Sequence, residues 1–240
     1  MPIRTVFLDA GGVLVFPNWS RVSEALARRG VMVPAAALAA AEPRAKKHLD
    51  QGATIQATND QQRGWTYFNL VLTDAGVELS TATADALAEL HRYHQTSNLW
   101  ETVADDVRPA LATLRARGHR LVVVSNANGK LRHLFERVRL IDAVDALFDS
   151  CDEGVEKPDP RFFNIALERT GSAPDTTIHV GDLYHVDVVG ARAAGIQPVL
   201  LDVADLYEGC DCPRVRSLNG FVELLAGRPD DLRQGSGGPP

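Results

Sequence analysis

Four short stretches of this chain carry the residue types that nucleophilic chemistry on an anionic substrate would need. Asp9 is followed by Ala10-Gly11-Gly12, Ser125-Asn126 and Lys157 lie further along, and Gly181-Asp182 is followed by Asp187. A carboxylate such as Asp9 can act as a nucleophile and form a covalent acyl-type intermediate. The glycines beside it let the backbone approach a ligand closely and offer N–H groups to an anion. The Ser125 hydroxyl, with the N–H groups of its turn, has the donors to hold phosphate oxygens. Lys157 sits in Val155-Glu156-Lys157-Pro158-Asp159-Pro160, where two prolines stiffen the chain around a fixed positive charge. Asp182 and Asp187, beside a third carboxylate, make a hard-oxygen set suited to Mg²⁺. Taken singly, each stretch also reads as an ordinary polar turn. Their conjunction is what points to a site.

The elements around these stretches explain how they would converge. Apolar runs rich in β-branched residues occur at 5–8, 121–124, 144–148, 177–180 and 198–201. All but the weaker third read as strands buried on both faces, the signature of a parallel sheet. Four of the five lead straight into small or polar residues: Asp9-Ala10-Gly11-Gly12, Ser125-Asn126, Gly181-Asp182 and Asp202. Helical patterns at 106–117, 161–169 and 186–194 alternate with the later strands, and Gly118, Gly171 and Gly195 supply the stops. Strand and helix in alternation predict a Rossmann-like, doubly wound parallel sheet in a three-layer α/β/α arrangement. In such sheets ligands bind beyond the carboxyl ends of the strands, where three of the four stretches fall, with Lys157 on the turn into a helix.

Residues 15–101 break the rhythm. They contain no convincing strand but carry helical patterns at 20–29, 34–49, 60–72 and 83–94, punctuated by Gly30, Gly52 and Gly76. The expected organisation is an α/β core from 1–14 and 105–233, an inserted all-helical cap from 15–104, and a disordered tail from 234–240. Trp65, Phe68 and Leu72 recur at helical spacing and read as core packing. Arg44, Lys46, Lys47 and His48 read as a solvated helix face, as do His91 and His94. His179 lies inside a strand and reads as structural, whereas His185 is placed to reach the site.

Composition narrows the function classes. The 240 residues are 45% hydrophobic and 23% charged, with Gly 19 and Pro 13, which excludes a disordered or collagen-like chain. A net charge of −6 argues against a general nucleic-acid binder. Three cysteines are too few for a disulfide framework, and Cys210 and Cys212 are too close together for a usual zinc pair. No apolar run approaches the length of a membrane helix, and Asp9 interrupts the N-terminal apolar stretch where a signal peptide needs continuity. The expectation is a reduced, cytoplasmic, soluble protein without nucleic-acid or membrane partners.

The ordered set Phe7-Leu8-Asp9-Ala10-Gly11-Gly12-Val13-Leu14, Val124-Ser125-Asn126, Glu156-Lys157-Pro158-Asp159 and His179-Val180-Gly181-Asp182 to Asp187 resembles the haloacid dehalogenase-like (HAD) hydrolase superfamily. Gly190-Ala191-Arg192-Ala193-Ala194-Gly195 adds to the likeness, and the helical block is similar to the family's type I cap. The resemblance implies a job for each matching position. Asp9 would attack an electrophilic centre, usually phosphorus. Mg²⁺ would be held by Asp9, the Gly11 carbonyl and Asp182, with Asp187 ligating or supporting through water. Ser125 and Lys157 would bind the transferring phosphoryl group, and Gly12, Asn126 and Trp19 are the candidate substrate contacts. An anionic nucleophile approaching an anionic phosphate is repelled until cationic groups offset the charge, so electrostatic preorganisation would dominate.

Residue 11 departs from the pattern. Most phosphatases of the family place a second aspartate there as general acid and base; this chain has Gly11. That function is typically worth about 10²–10⁴-fold, or roughly 3–5 kcal/mol of barrier. The first reading is a phosphatase for a small phosphorylated metabolite that uses a good leaving group, or an acid from the cap or the substrate. The second is a 2-haloacid dehalogenase, which needs no acid and no metal but lacks an acidic residue at the position of Asp182. The third is a phosphonate hydrolase, for which Lys46 or Lys47 would have to form a Schiff base. A catalytically weak binding member of the family is the non-enzyme alternative. Monomer and homodimer are both compatible with the sequence.

Overall fold

The computed structural model describes residues 2–227, apart from the side chains of Gln61 and Trp65. The expected tail at 234–240 and the packing of Trp65 lie outside the described residues. Six strands, β1 (Thr5–Leu8), β2 (Arg120–Ser125), β3 (Ala146–Asp149), β4 (Thr177–Gly181), β5 (Gln197–Leu201) and β6 (Arg214–Val215), form one sheet in the order β3-β2-β1-β4-β5-β6. Every pairing is parallel. The chain runs outward from β1 through β2 to β3, then returns to the other side of β1 with β4. This reversal makes the β1/β4 boundary the topological switch point. The register pairs Leu8 with both Val123 and Val180, so Asp9, Ser125 and Asp182 reach the same carboxyl edge. β6 was not foreseen: two residues carry no periodicity.

The described residues form two compact units, one of residues 2–15 and 103–227, the other Phe16–Thr102. Val15, expected in the helical block, belongs to the α/β unit because its N–H donates to the Ala10 carbonyl at 2.9 Å.

The helical unit contains α1 (Trp19–Ala27), α2 (Ala35–Leu49), α3 (Gly52–Ala57), α4 (Asp60–Asp74) and α5 (Thr81–Ser97). Its core includes Val22, Leu26, Leu38, Phe68, Val71, Leu72, Leu87 and Leu99. Phe16 and Thr102 exchange two backbone hydrogen bonds, 2.7 and 3.1 Å, so the insert begins and ends at one point. Within it, buried Glu42 accepts from Trp19 Nε1 at 3.1 Å and Tyr67 Oη at 2.8 Å and pairs with Lys46 Nζ at 2.9 Å. The expected solvated face is therefore corrected at Lys46, whose side chain is only 18% exposed because burying a carboxylate demands a cation. His94 also has structural work: its Nδ1 accepts the Leu99 N–H at 3.2 Å.

The α/β unit adds α6 (Val107–Ala116), α7 (Leu131–Arg137), α8 (Ser150–Glu153), α9 (Pro160–Thr170), α10 (Val189–Ala193) and α11 (Leu218–Ala226). Phe7, Val122 and Val124 pack against Phe162, Phe163, Ala166 and Leu167 of α9 and Ala191 of α10. α9 starts where Asp159 caps the Arg161 N–H, with Pro160 in the first turn, and stops at left-handed Gly171. Gly190 lets α10 press onto the Lys157 segment: a Cβ there would lie 2.9 Å from the Phe163 ring and 3.0 Å from the Pro158 carbonyl. Among the described residues no helix is long and apolar enough to cross a membrane.

Candidate active site

Asp9 leaves β1 with its N–H donating to the Val180 carbonyl at 2.9 Å, so the nucleophile candidate is still tied to the sheet. The chain then turns tightly. Leu14 and Val15 donate to the Ala10 carbonyl, Gly12 donates to Val15 at 2.8 Å, and the Gly11 carbonyl takes no part in these bonds. Gly12 adopts φ +80°, a conformation that strains other residues. Its N–H is engaged inside the turn, so what this glycine contributes is backbone shape, not an anion contact.

Ser125 ends β2 buried, its Oγ 3.5 Å from the Asn126 carbonyl, too far for a strong hydrogen bond. Asn126 was expected to touch substrate. Instead its side-chain amide clamps the backbone of Lys157: Oδ1 accepts the Lys157 N–H at 2.8 Å and Nδ2 donates to the Lys157 carbonyl at 3.0 Å. The Lys157–Pro158 peptide is cis. Lys157 is 1% exposed, and its Nζ lies 2.8 Å from Asp9 Oδ1 and 2.7 Å from Asp187 Oδ1. Burial works against its charge, but the Asp187 and Asp9 carboxylates overcome that and hold the ammonium well above its ordinary pKa.

Beyond β4 the chain makes one wide π turn, Tyr184–Val188, a form found often at functional sites. This turn folds Asp187 back over the strand end. Asp187 Oδ2 accepts the Leu183 N–H at 3.1 Å, and Oδ1 meets His179 Nε2 at 3.0 Å as well as Lys157. Burial would raise the Asp187 carboxyl, but Lys157 and then His179 hold it well below the carboxylate range. His179 is fully buried, and burial pushes its pKa down, which keeps the imidazole neutral.

The result is a buried group in which one oxygen each from Asp9, Asp182 and Asp187 lies within 4.8 Å of the others. Of these three carboxylates two, Asp9 and Asp187, share the Lys157 ammonium, and the neighbouring imidazole is neutral. Such an excess of buried negative charge, presented as hard oxygen donors, fits a divalent cation of the Mg²⁺ class.

Asp9, Ser125, Lys157, Asp182 and Asp187 thus come from four separate strand ends and turns to one edge of the sheet. Trp19 belongs to the helical unit, 8% exposed, with its indole N–H engaged by Glu42. His185 packs its ring edge-on against Tyr184, centroids 5.2 Å apart. His179, read as merely structural, touches the site directly. Its signal was present: an imidazole two residues before Gly181 faces the same side of the strand as that glycine.

A family model described as haloacid dehalogenase-like hydrolase matches residues 3–195, and the chain belongs to that family. Haloacid dehalogenase-like hydrolase domain-containing protein 3 of Bos taurus is 35% identical over 127 residues, covering 53% of this chain and 50% of that protein. Ribulose-1,5-bisphosphate 5-phosphatase of Halopiger xanaduensis is 29% identical over 133 residues, covering 54% and 56%. Glyceraldehyde 3-phosphate phosphatase of Methanothermobacter thermautotrophicus is 33% identical over 93 residues, covering 38% and 41%. The chain spans about half the length of the curated relatives it matches. Among solved structures, the putative HAD-hydrolase YfnB from Bacillus subtilis bound to magnesium superposes with a TM-score of 0.68 at 16% identity, covering 94% of this chain and 99% of that one. L-2-haloacid dehalogenase from Xanthobacter autotrophicus reaches 0.61 at 18% identity, covering 94% and 99%. Both share the fold.

Proposed function

We propose that this protein is a Mg²⁺-dependent phosphatase that hydrolyses a small phosphorylated metabolite through an aspartyl-phosphate on Asp9. The observation that carries the reading is the buried set of Asp9, Asp182 and Asp187, with the Lys157 ammonium held between Asp9 and Asp187. The Halopiger xanaduensis and Methanothermobacter thermautotrophicus relatives are named as phosphatases of phosphorylated sugars, which supports the same substrate class.

In this reading the Asp9 oxygen not paired with Lys157 attacks phosphorus, an O–P bond forms, and the ester O–P bond breaks. Water then hydrolyses the acyl phosphate and regenerates Asp9. Lys157 stands 2.8 Å from Asp9 and offsets the repulsion between carboxylate and phosphoryl oxygens. Ser125 offers its hydroxyl to a phosphoryl oxygen. Asp9, Asp182 and the Gly11 carbonyl would hold the cation, with Asp187, already accepting three protein donors, supporting through water. Bound Mg²⁺ supplies further charge neutralisation on the phosphoryl oxygens. Gly11 has no proton to give, so the leaving oxygen must be a stable anion or be protonated by a group of the cap or by the substrate itself.

Hydrolysis of an aryl phosphate with and without Mg²⁺ tests the reading. Turnover that requires the metal and disappears in Asp9→Asn is the expected result. Full turnover by Asp9→Asn overturns it, and halide release from a 2-haloacid in the presence of chelator would replace it with dehalogenation.

A further inference from the structure

We propose that His179 is a positioning residue for this reaction: its Nε2–H ties the Asp187 carboxylate to the sheet and thereby sets Lys157 against Asp9. The proposal rests on the phosphatase reading for its kinetic consequence but not for its geometry. His179 is 0% exposed in the middle of β4, with Phe7 of β1 and Pro198 of β5 as its lateral neighbours. The Phe163 ring packs edge-on against the imidazole, centroids 4.9 Å apart.

Its tautomer follows from its surroundings. Nε2 lies 3.0 Å from Asp187 Oδ1, while Nδ1 is buried with no hydrogen-bond partner. A proton on Nδ1 would strand an N–H away from any acceptor and turn the Nε2 lone pair toward a carboxylate. A proton on Nε2 avoids both costs, so His179 donates and Asp187 accepts.

The bond matters because of what else holds Asp187. Its remaining protein donors are the Leu183 N–H, in the same turn, and Lys157 Nζ, at the end of a flexible four-carbon stem. Neither is part of the sheet. His179 is the contact that fixes the carboxylate to a rigid element, and Asp187 in turn fixes the ammonium that Asp9 shares. The relay therefore runs from His179 through Asp187 and Lys157 to the attacking group.

Two variants separate this role from space filling. His179→Gln keeps an N–H near the Nε2 position, and His179→Leu fills the space without a donor. Against an aryl phosphate, His179→Leu should lose kcat on the order of 10- to 100-fold, the worth of one hydrogen bond to a charged group. KM should hardly move, and His179→Gln should recover most of the loss. Equal impairment of both variants, or a change in KM alone, overturns the proposal. Nitrogen-15 NMR supplies readouts that do not depend on hydrolysis. The wild-type imidazole should carry its proton on Nε2, and the Lys157 ammonium signal should shift in His179→Leu and return in His179→Gln. An Nδ1 proton, or an unmoved Lys157 signal, overturns the proposal even if phosphatase activity is present. If phosphate esters are not hydrolysed but these spectra are as expected, the functional reading alone fails.

Discussion

Gly181 and Asp187 occupy nearly the same space: a Cβ built on Gly181 would lie 2.0 Å from Asp187 Cγ and 2.3 Å from its Cβ. The π turn brings the carboxylate down onto the bare backbone of the strand end, where Lys157 and His179 reach it. The glycine is there because the aspartate needs its room, not because the backbone needs an unusual φ.

Gly181→Ala should therefore damage both fold and site. The clash is with the stem of a buried side chain that has three hydrogen-bonding partners. The cost should reach about 3 kcal/mol, the upper end of overpacking in well-filled interiors. Chemical denaturation measures this directly. If Asp187 swings aside instead, stability will survive and turnover will fall on the order of 10²-fold, as expected for a misplaced catalytic group. Retention of both stability and turnover would contradict the structure.

Gly11→Asp tests the missing acid. Gly11 is absent from the positive-φ residues, so a side chain meets no backbone penalty there. Without an acid, turnover should depend steeply on the leaving group, with aryl phosphates favoured over alkyl phosphates. The aspartate should raise kcat/KM for an alkyl phosphate by about 10-fold or more, within the range of general acid catalysis. Aryl substrates should change little. A series of esters of graded leaving-group acidity reads out the flattening.

Glu101 gives the helical unit a pH-dependent strut. Its Oε1 accepts from Asn18 Nδ2 at 3.0 Å and Arg21 Nε at 3.2 Å, and its Oε2 accepts from Tyr93 Oη at 2.7 Å. Burial would raise this carboxyl, but the Tyr93, Asn18 and Arg21 donors outweigh it and hold the pKa low. A lowered folded value means the stabilisation is complete above the unfolded carboxyl pKa, about 4.3. It is lost as pH falls through the folded value. Glu101→Gln should be less stable by about 1 kcal/mol at neutral pH and show a shallower loss in acid. Parallel slopes for the two proteins below pH ~4 would refute the assignment.

Much of the fold was legible in local pattern. The β-branched runs gave β1, β2, β4 and β5 within a residue or so, because a strand buried on both faces leaves a continuous apolar signature. The stops and caps around α6 and α9 are likewise local chemistry. What escaped was mostly short, β6, α3, α7 and α8; α11 escaped although Leu218, Phe221 and Val222 recur at helical spacing. In the candidate site, Asp9, Ser125, Lys157, Asp182 and Asp187 could be singled out because each sits at or just past a strand end or at a turn into a helix. The partnerships were not. Asn126 is 31 residues from the lysine it clamps, and Glu42 is 23 from Trp19 and 25 from Tyr67. No window along the chain contains both members of such a pair.

By itself, then, the order of residues determined which groups stand at the ends of the strands and that position 11 carries a glycine. Only the folded chain decided their occupations: that Asn126 holds a backbone, that Lys157 is shared by two aspartates, and that His179 is turned toward Asp187. The reason is physical. Strand propensity and turn chemistry act over a few neighbouring residues, whereas a buried polar atom takes whichever distant partner the packing leaves within about 3 Å.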